Sequence, residues 1–264
     1  MKTIALTYGE ASSIGPEILT YILKEQILQK KYKHLNFMVF GDEKSISPAL
    51  FSDNVSLISG HADSFLNLEK AACACMEGRC SGLVTGPISK KIWLDSGYQY
   101  KGQTEFLSEI TNSEAEMLFW ANSGNLSPWL TVLLTRHIPL SEVSSSITYD
   151  RLSQCLKTLR GFLIEHDLSG DIALAGINPH AGEDGEIGQE EIIWREWCTK
   201  LNVEGPLSPD QIWFEAVRSY LDGSSTKYSA YVSPYHDQAL PLIKSVTNLQ
   251  AVNVSIGLPF IRTS

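Results

Sequence analysis

The sequence predicts an α/β fold with a largely parallel sheet, on three observations. Short apolar runs alternate with longer stretches of helical periodicity from end to end. Several of those runs lead directly into polar, proline-flanked loops, as strand ends do in open α/β sheets. The 264 residues can bury a sizeable core, with room for two moderate domains or one large one.

Ile4 to Thr7 reads as the first strand. The loop Tyr8-Gly9-Glu10-Ala11-Ser12-Ser13-Ile14-Gly15 follows, and Pro16 suits the first turn of a helix with Ile18, Leu19, Ile22 and Leu23 on its apolar face. Phe37 to Phe40 and Val55 to Ile58 are the next strands, followed by a helix from about Ser64 to Met76. Gly82-Leu83-Val84 runs into Thr85-Gly86-Pro87-Ile88-Ser89-Lys90, which opens a helix stopped by Gly97. A helical stretch after Thr104 carries Phe106, Leu107 and Ile110. Met117 to Trp120 and Leu130 to Leu134 flank Asn122-Ser123-Gly124-Asn125, the pattern of a hairpin. Asp150 to Ile164 is a helix and Ile172 to Ala175 a strand. A helix containing Ile192, Ile193 and Trp197 comes next, then a short one after Asp210. Tyr231-Val232 marks another strand, and Ala251 to Ser255 the last. There is no internal repeat, low-complexity tract or obvious linker, so composition locates no domain boundary.

A net charge of −9 and a pI near 5.2 argue against nucleic acid or an anionic membrane as the main partner, while leaving room for a small anion held by a local cluster of cations. The first residues are too short an apolar run for a signal peptide, and no stretch has the length of a membrane helix, so the expected location is cytoplasmic. Five cysteines, an odd count, fit reduced thiols. Cys73 and Cys75, two positions apart in a helical pattern, are expected to pack rather than to bind zinc with Cys80.

Three of the six histidines occupy the proline-flanked loops: His137 in Thr135-Arg136-His137-Ile138-Pro139, His180 in Asn178-Pro179-His180-Ala181-Gly182-Glu183, and His236 in Pro234-Tyr235-His236-Asp237-Gln238. Neutral imidazoles brought together by loops are common ligands of divalent ions, which makes these three a candidate metal site; any one of them alone would read as an ordinary surface histidine.

These loops, with Ile14-Gly15-Pro16-Glu17, the string from Leu83 to Lys90, Gly102-Gln103-Thr104-Glu105-Phe106, Gly205-Pro206-Leu207 and the closing string from Asn253 to Ser264, run in order along the chain. Together they resemble the 4-hydroxythreonine-4-phosphate dehydrogenase family of pyridoxal phosphate (vitamin B6) biosynthesis. The resemblance implies two α/β/α domains like those of isocitrate and isopropylmalate dehydrogenases, with the active site in a cleft between them. Residues 1–100 with 248–264 would form the first domain, and 101–247 the second, carrying the histidines. It also implies a homodimer with the active site at its interface.

The implied reaction is NAD-dependent oxidation of 4-phosphohydroxy-L-threonine at its C3 hydroxyl, followed by decarboxylation to 3-amino-2-oxopropyl phosphate. By the same likeness His137, His180 and His236 hold one divalent ion (zinc, magnesium, cobalt or manganese), with His236 arriving from the partner subunit. Gln103, Thr104, Lys244, Asn253 and Arg262 are the implied substrate-binding residues around the phosphate. Lys244 and Asp210 are the implied catalytic groups, although Asp210 in Ser208-Pro209-Asp210 equally suits a helix N-cap. No Gly-x-Gly-x-x-Gly follows the first strand, so an ordinary Rossmann site for NAD is not expected.

Several positions depart from the family pattern. Gln103 stands where the family has a phosphate-contacting histidine, which would weaken phosphate binding. Tyr8, Ala11, Ser12 and Ser13 replace a Pro-Gly-Asp/Glu-Pro-Ala-Gly pattern, and Ala239 replaces a glycine, a costly exchange if φ is positive there. Relatives continue beyond the Arg-Thr-Ser string with an Asp-His-Gly-Thr segment and a helical region that help enclose NAD. The alternatives to an active dehydrogenase of this substrate are a degenerate relative that keeps a metal and anion pocket, and a paralogue for another phosphorylated four-carbon hydroxy acid.

Overall fold

The computed structural model of the chain describes residues 1–59, 62–100, 102–122, 128–224 and 226–264. It divides into two compact units, the first comprising residues 1–115 and 258–264 and the second 116–257. The expected divisions at 100/101 and 247/248 therefore shift. Phe106 and Leu107 pack with Phe65, Trp93 and Phe260 in the first unit's core, while Val254 and Ile256 join Leu118 in the second's.

In chain order the first unit contains β1 (Lys2–Thr7), α1 (Gly15–Lys24), α2 (Ile27–Lys31), β2 (Leu35–Gly41), β3 (Val55–Ser59), α3 (Ser64–Met76), β4 (Gly82–Thr85), α4 (Lys90–Asp95) and α5 (Gln103–Ile110). The second contains β5 (Glu116–Ala121), β6 (Trp129–Leu133), α6 (Val143–Ser146), α7 (Tyr149–Glu165), β7 (Asp171–Ala175), α8 (Glu190–Leu201), β8 (Glu204–Leu207), α9 (Pro209–Asp222), β9 (Tyr228–Ser233), α10 (His236–Val246) and β10 (Val252–Ile256). Strand β11 (Ile261–Thr263) returns to the first unit.

The strands of the first unit run β3-β2-β1-β4-β11, all parallel. Such sheets need cover on both faces. Ala5, Phe40 and Leu83 pack against Phe65, Leu68, Ala71 and Cys75 of α3, and Phe37 and Val39 against Leu19 and Leu23 of α1. Of the apolar face expected on α1, Ile18 is instead exposed. The Asp63 carboxylate caps α3 by accepting from the N–H groups of Phe65 and Leu66. The sharp loop after β1 depends on Gly9, at φ +84°, where a Cβ would lie 2.0 Å from the Pro87 carbonyl oxygen.

The second unit has the order β10-β5-β6-β9-β7-β8, antiparallel through β6 and parallel beyond it. The β5–β6 hairpin forms as expected; its tip, residues 123–127, lies outside the described residues. Alternation along the strands sends Leu130, Val132 and Leu174 toward Leu152, Leu156 and Leu159 of α7 and Trp194 of α8. It sends Leu133, Ala173 and Tyr231 toward Trp213 of α9 and Leu240 and Ile243 of α10.

Ala239 lies inside α10, fully buried in that second layer. It is not among the residues at positive φ, so the strain feared for a methyl at this position does not arise. Cys73 and Cys75 are on α3, and none of the five cysteines is in a disulfide. Among the described residues no helix is long and apolar enough to cross a membrane.

Candidate functional site

Four neighbouring parallel strands, β6, β9, β7 and β8, are followed by the segments that carry His137, His236, His180 and Asp210 respectively. All four segments therefore start from the carboxyl edge of one sheet, where open α/β folds hold ligands. Leu133 pairs with Ser233 at the ends of β6 and β9. The ladder continues beyond them, through Leu134 N–H to the Ser233 carbonyl at 2.9 Å and Thr135 N–H to the Pro234 carbonyl at 3.2 Å. The Thr135 hydroxyl donates to the same Pro234 oxygen.

This pairing brings the His137 and His236 rings together, their centroids 5.4 Å apart and their planes inclined by 57°. Two imidazoles on one tetrahedral ion, each bound at roughly 2.0–2.1 Å, have centres about 5 Å apart, so the spacing fits a shared ion. His236 Nδ1 pairs with Asp237 Oδ1 at 2.7 Å, which leaves Nε2 to ligate. Within one chain the His236 ring lies beside that of His137, because β6 and β9 are adjacent strands.

His180 is presented differently. His180, Ala181, Gly182, Glu183 and Asp184 are consecutive left-handed residues, with φ between 43° and 78°. Four of them bear a Cβ, and each costs about 1 kcal/mol or more in that conformation. The turn is held at its entry by the buried carboxylate of Glu191, which accepts from Ile177 N–H at 2.8 Å, Asn178 N–H at 2.7 Å and Asn178 Nδ2 at 2.9 Å. Three hydrogen bonds to a charged acceptor, each worth about 1.5–3 kcal/mol, are enough to offset the strain. Arg195 holds the other end through Asp184 Oδ1 at 2.7 Å and the Ala181 carbonyl.

Asp210 is the second helical residue of α9, and Ser208 takes the N-cap position, so the capping alternative for Asp210 falls away. The Ser208 hydroxyl donates to Asp210 Oδ1. Its carboxyl is held below the usual carboxylate range by that hydroxyl first, then by backbone N–H groups and by the charge of His180. Among the described residues no three His, Cys, Asp or Glu side chains converge on one point. Within one chain, then, His137 and His236 form a pair and His180 does not complete it.

A second polar cluster lies in the first unit. Arg262, on β11, is buried. Its Nε and Nη2 donate to Thr85 Oγ1 at 3.1 and 2.8 Å, and Nη2 also donates to Gln103 Oε1 at 3.0 Å. Burial pushes its pKa down to about 10, partly countered by Glu105, so it remains a cation at neutral pH. Gln103 donates in turn to the Gly86 carbonyl at 2.8 Å, so both ends of its amide have partners within the protein. Thr104 is half-buried at the start of α5, next to Gln103. Asn253 is half-buried on β10, and Lys244 is exposed in the last turn of α10.

A sequence profile described as "Pyridoxal phosphate biosynthetic protein PdxA" matches residues 20–264. The chain belongs to the PdxA family. It is 34% identical over 300 residues to the 4-hydroxythreonine-4-phosphate dehydrogenase of Thermosynechococcus vestitus, covering 99% of this chain and 88% of that protein. With the Synechocystis enzyme of the same name the identity is 37% over 306 residues, covering 100% and 87%. The 1.25 Å crystal structure of 4-hydroxythreonine-4-phosphate dehydrogenase from Klebsiella pneumoniae superposes with a TM-score of 0.79 at 25% identity, covering all of this chain and 90% of that one.

Sequence reasoning missed several residues that shape the sites of this PdxA-family chain. Glu191 reads from sequence as an ordinary acid in the first turn of a helix, and Asp237 as a polar neighbour of His236. Gln238 accepts from the Ser233 hydroxyl and donates to the Gly176 carbonyl, tying the base of the His236 segment to the strand end that leads to His180. Thr85, Asp237 and Gln238 lie inside quoted motifs, whereas Glu191 lies outside them.

Proposed function

We propose that this chain is an NAD-dependent dehydrogenase of 4-phosphohydroxy-L-threonine that works with one divalent metal ion. Hydride leaves C3, and loss of carbon dioxide then gives 3-amino-2-oxopropyl phosphate. The observation that carries this reading is the His137–His236 pair at the ends of adjacent parallel strands, in a chain of the PdxA family. A divalent ion there would supply Lewis acidity, lowering the pKa of a hydroxyl and stabilising charge that builds on its oxygen.

His137, His180 and His236 would together hold the ion, at the interface of a homodimer. Asp210, ionised under the influence of Ser208, is the group suited to accept the hydroxyl proton. Lys244 is the cationic donor suited to return a proton to carbon after decarboxylation. Arg262 supplies a fixed charge for the phosphate, with Thr104, Asn253 and Lys244 as further donors. Gln103 acts there by fixing the Arg262 fork. NAD would accept the hydride, but the loop after β1 lacks the glycine fingerprint, so none of its residues is assigned to the cofactor.

The engaged amide of Gln103 favours one second reading, a paralogue for another phosphorylated four-carbon hydroxy acid. Purified protein given NAD, a divalent ion and 4-phosphohydroxy-L-threonine should produce NADH absorbance that a chelator abolishes. Absorbance only with a different phosphorylated hydroxy acid would select the paralogue. A folded, metal-loaded protein inert toward both would be a binding relative that does not turn over.

A further inference from the structure

We infer that Glu191 is a positioning residue for the metal site, its buried carboxylate fixing the left-handed turn that presents His180. The inference rests on the metal reading above. Glu191 is 1% exposed, at the start of α8, and its Oε1 accepts two successive backbone N–H groups, those of Ile177 and Asn178. These are the last residues before Pro179 and the turn. Oε2 accepts from the Asn178 side chain, which also donates to Glu190 Oε2 at 2.9 Å.

The carboxylate further packs against two glycines. A Cβ on Gly182 would lie 2.8 Å from Glu191 Oε2, and one on Gly176 would lie 3.2 Å from Oε1. The turn thus wraps around this side chain, with bare Cα atoms before and within it. Five residues in a conformation that L-amino acids avoid do not hold it unaided, and a carboxylate that accepts from the backbone just ahead of them sets where the turn begins. The geometry around His180 is therefore delegated to a residue that touches neither ion nor substrate, as groups beyond the ligand set commonly do.

Glu191→Gln keeps the shape but points an NH2 group at one set of N–H donors. In metal-free protein, amide hydrogen exchange across residues 176–186 should rise about tenfold while β6 and β9 stay protected; unchanged exchange would overturn the inference without reference to metal. Cobalt(II) titration, followed by its visible d–d band in variant whose circular dichroism remains native, should show affinity weakened roughly tenfold to a hundredfold. Unchanged affinity and band shape would reduce Glu191 to a purely structural residue. Should Glu191→Gln fail to fold, Asn178→Ala removes only the side-chain donor and should weaken cobalt binding by about threefold to tenfold; no weakening overturns the proposal. A parent protein with no cobalt band overturns the metal reading and with it this role, while exchange still reports whether the carboxylate holds the turn.

Discussion

Arg262 shows how a residue's role depends on what holds it. The buried guanidinium remains a cation, with the Glu105 carboxylate acting on it, and its fork is aimed by Thr85 Oγ1 and Gln103 Oε1. In the proposed site it would face the substrate phosphate. Lysine cannot reproduce that fork, because its ammonium is a point charge without a plane. Arg262→Lys is expected to raise KM for the phosphorylated substrate about tenfold or more, equivalent to about 1.4 kcal/mol. The effect on kcat should be smaller and circular dichroism unchanged. Steady-state kinetics separate these outcomes, and an unaltered KM would remove Arg262 from the phosphate site.

Among the elements, β5 and α7 together support the loop that carries His137. Glu116, on β5, is 2% exposed and receives both Nη atoms of Arg151 from α7. Arg136, beside His137, reaches the same carboxylate at 3.8 Å. Arg151 also donates through Nε to the Leu134 carbonyl at 3.0 Å, just past the end of β6. Losing one partner of such a pair strands a charge. Glu116→Gln is expected to cost about 3 kcal/mol in urea unfolding, whereas Glu116→Leu combined with Arg151→Met should cost less than the sum of its parts. Purely additive losses would show that the two side chains are not coupled.

Across the whole molecule, buried thiols shape how stability depends on pH. Burial pushes Cys75 and Cys198 from an ordinary value of 9.0 up to about 12, and Cys155 upward in the same direction. Their folded-state values exceed the unfolded ones, so the unfolded chain releases protons first as pH rises. The associated stability is fully present below 9.0 and is lost as pH climbs toward about 12. The lowered carboxyl of Glu204, held by Lys227 first and also by Tyr228, has the opposite sense, and its contribution is lost as pH falls through that lowered range. Thermal melts should therefore show a plateau around neutrality and a falling Tm above pH 9.0. A Tm flat up to pH 12 would contradict the burial of these thiols.

Much of the fold was legible because it is written in local periodicity. The helix over Ser64–Met76, the β5–β6 hairpin and the strand before each histidine follow from apolar spacing and turn residues. Strands β8 and β11 were not legible. The first contains Gly205-Pro206 and the second spans three residues, so each is defined by its neighbour rather than by its own sequence.

The sequence by itself determined the fold class, the family and the identity of the candidate ligands. Only the tertiary structure decided which of them meet. Strand order departs from chain order, so β9 lies between β6 and β7 and joins Thr135 to Pro234, 99 residues further on. His137 therefore pairs with His236 rather than with the nearer His180. The left-handed turn at His180 and the burial of Glu191 beneath it were hidden for another reason: bonds from a carboxylate to backbone N–H groups 13 and 14 residues earlier leave no mark on apolar periodicity.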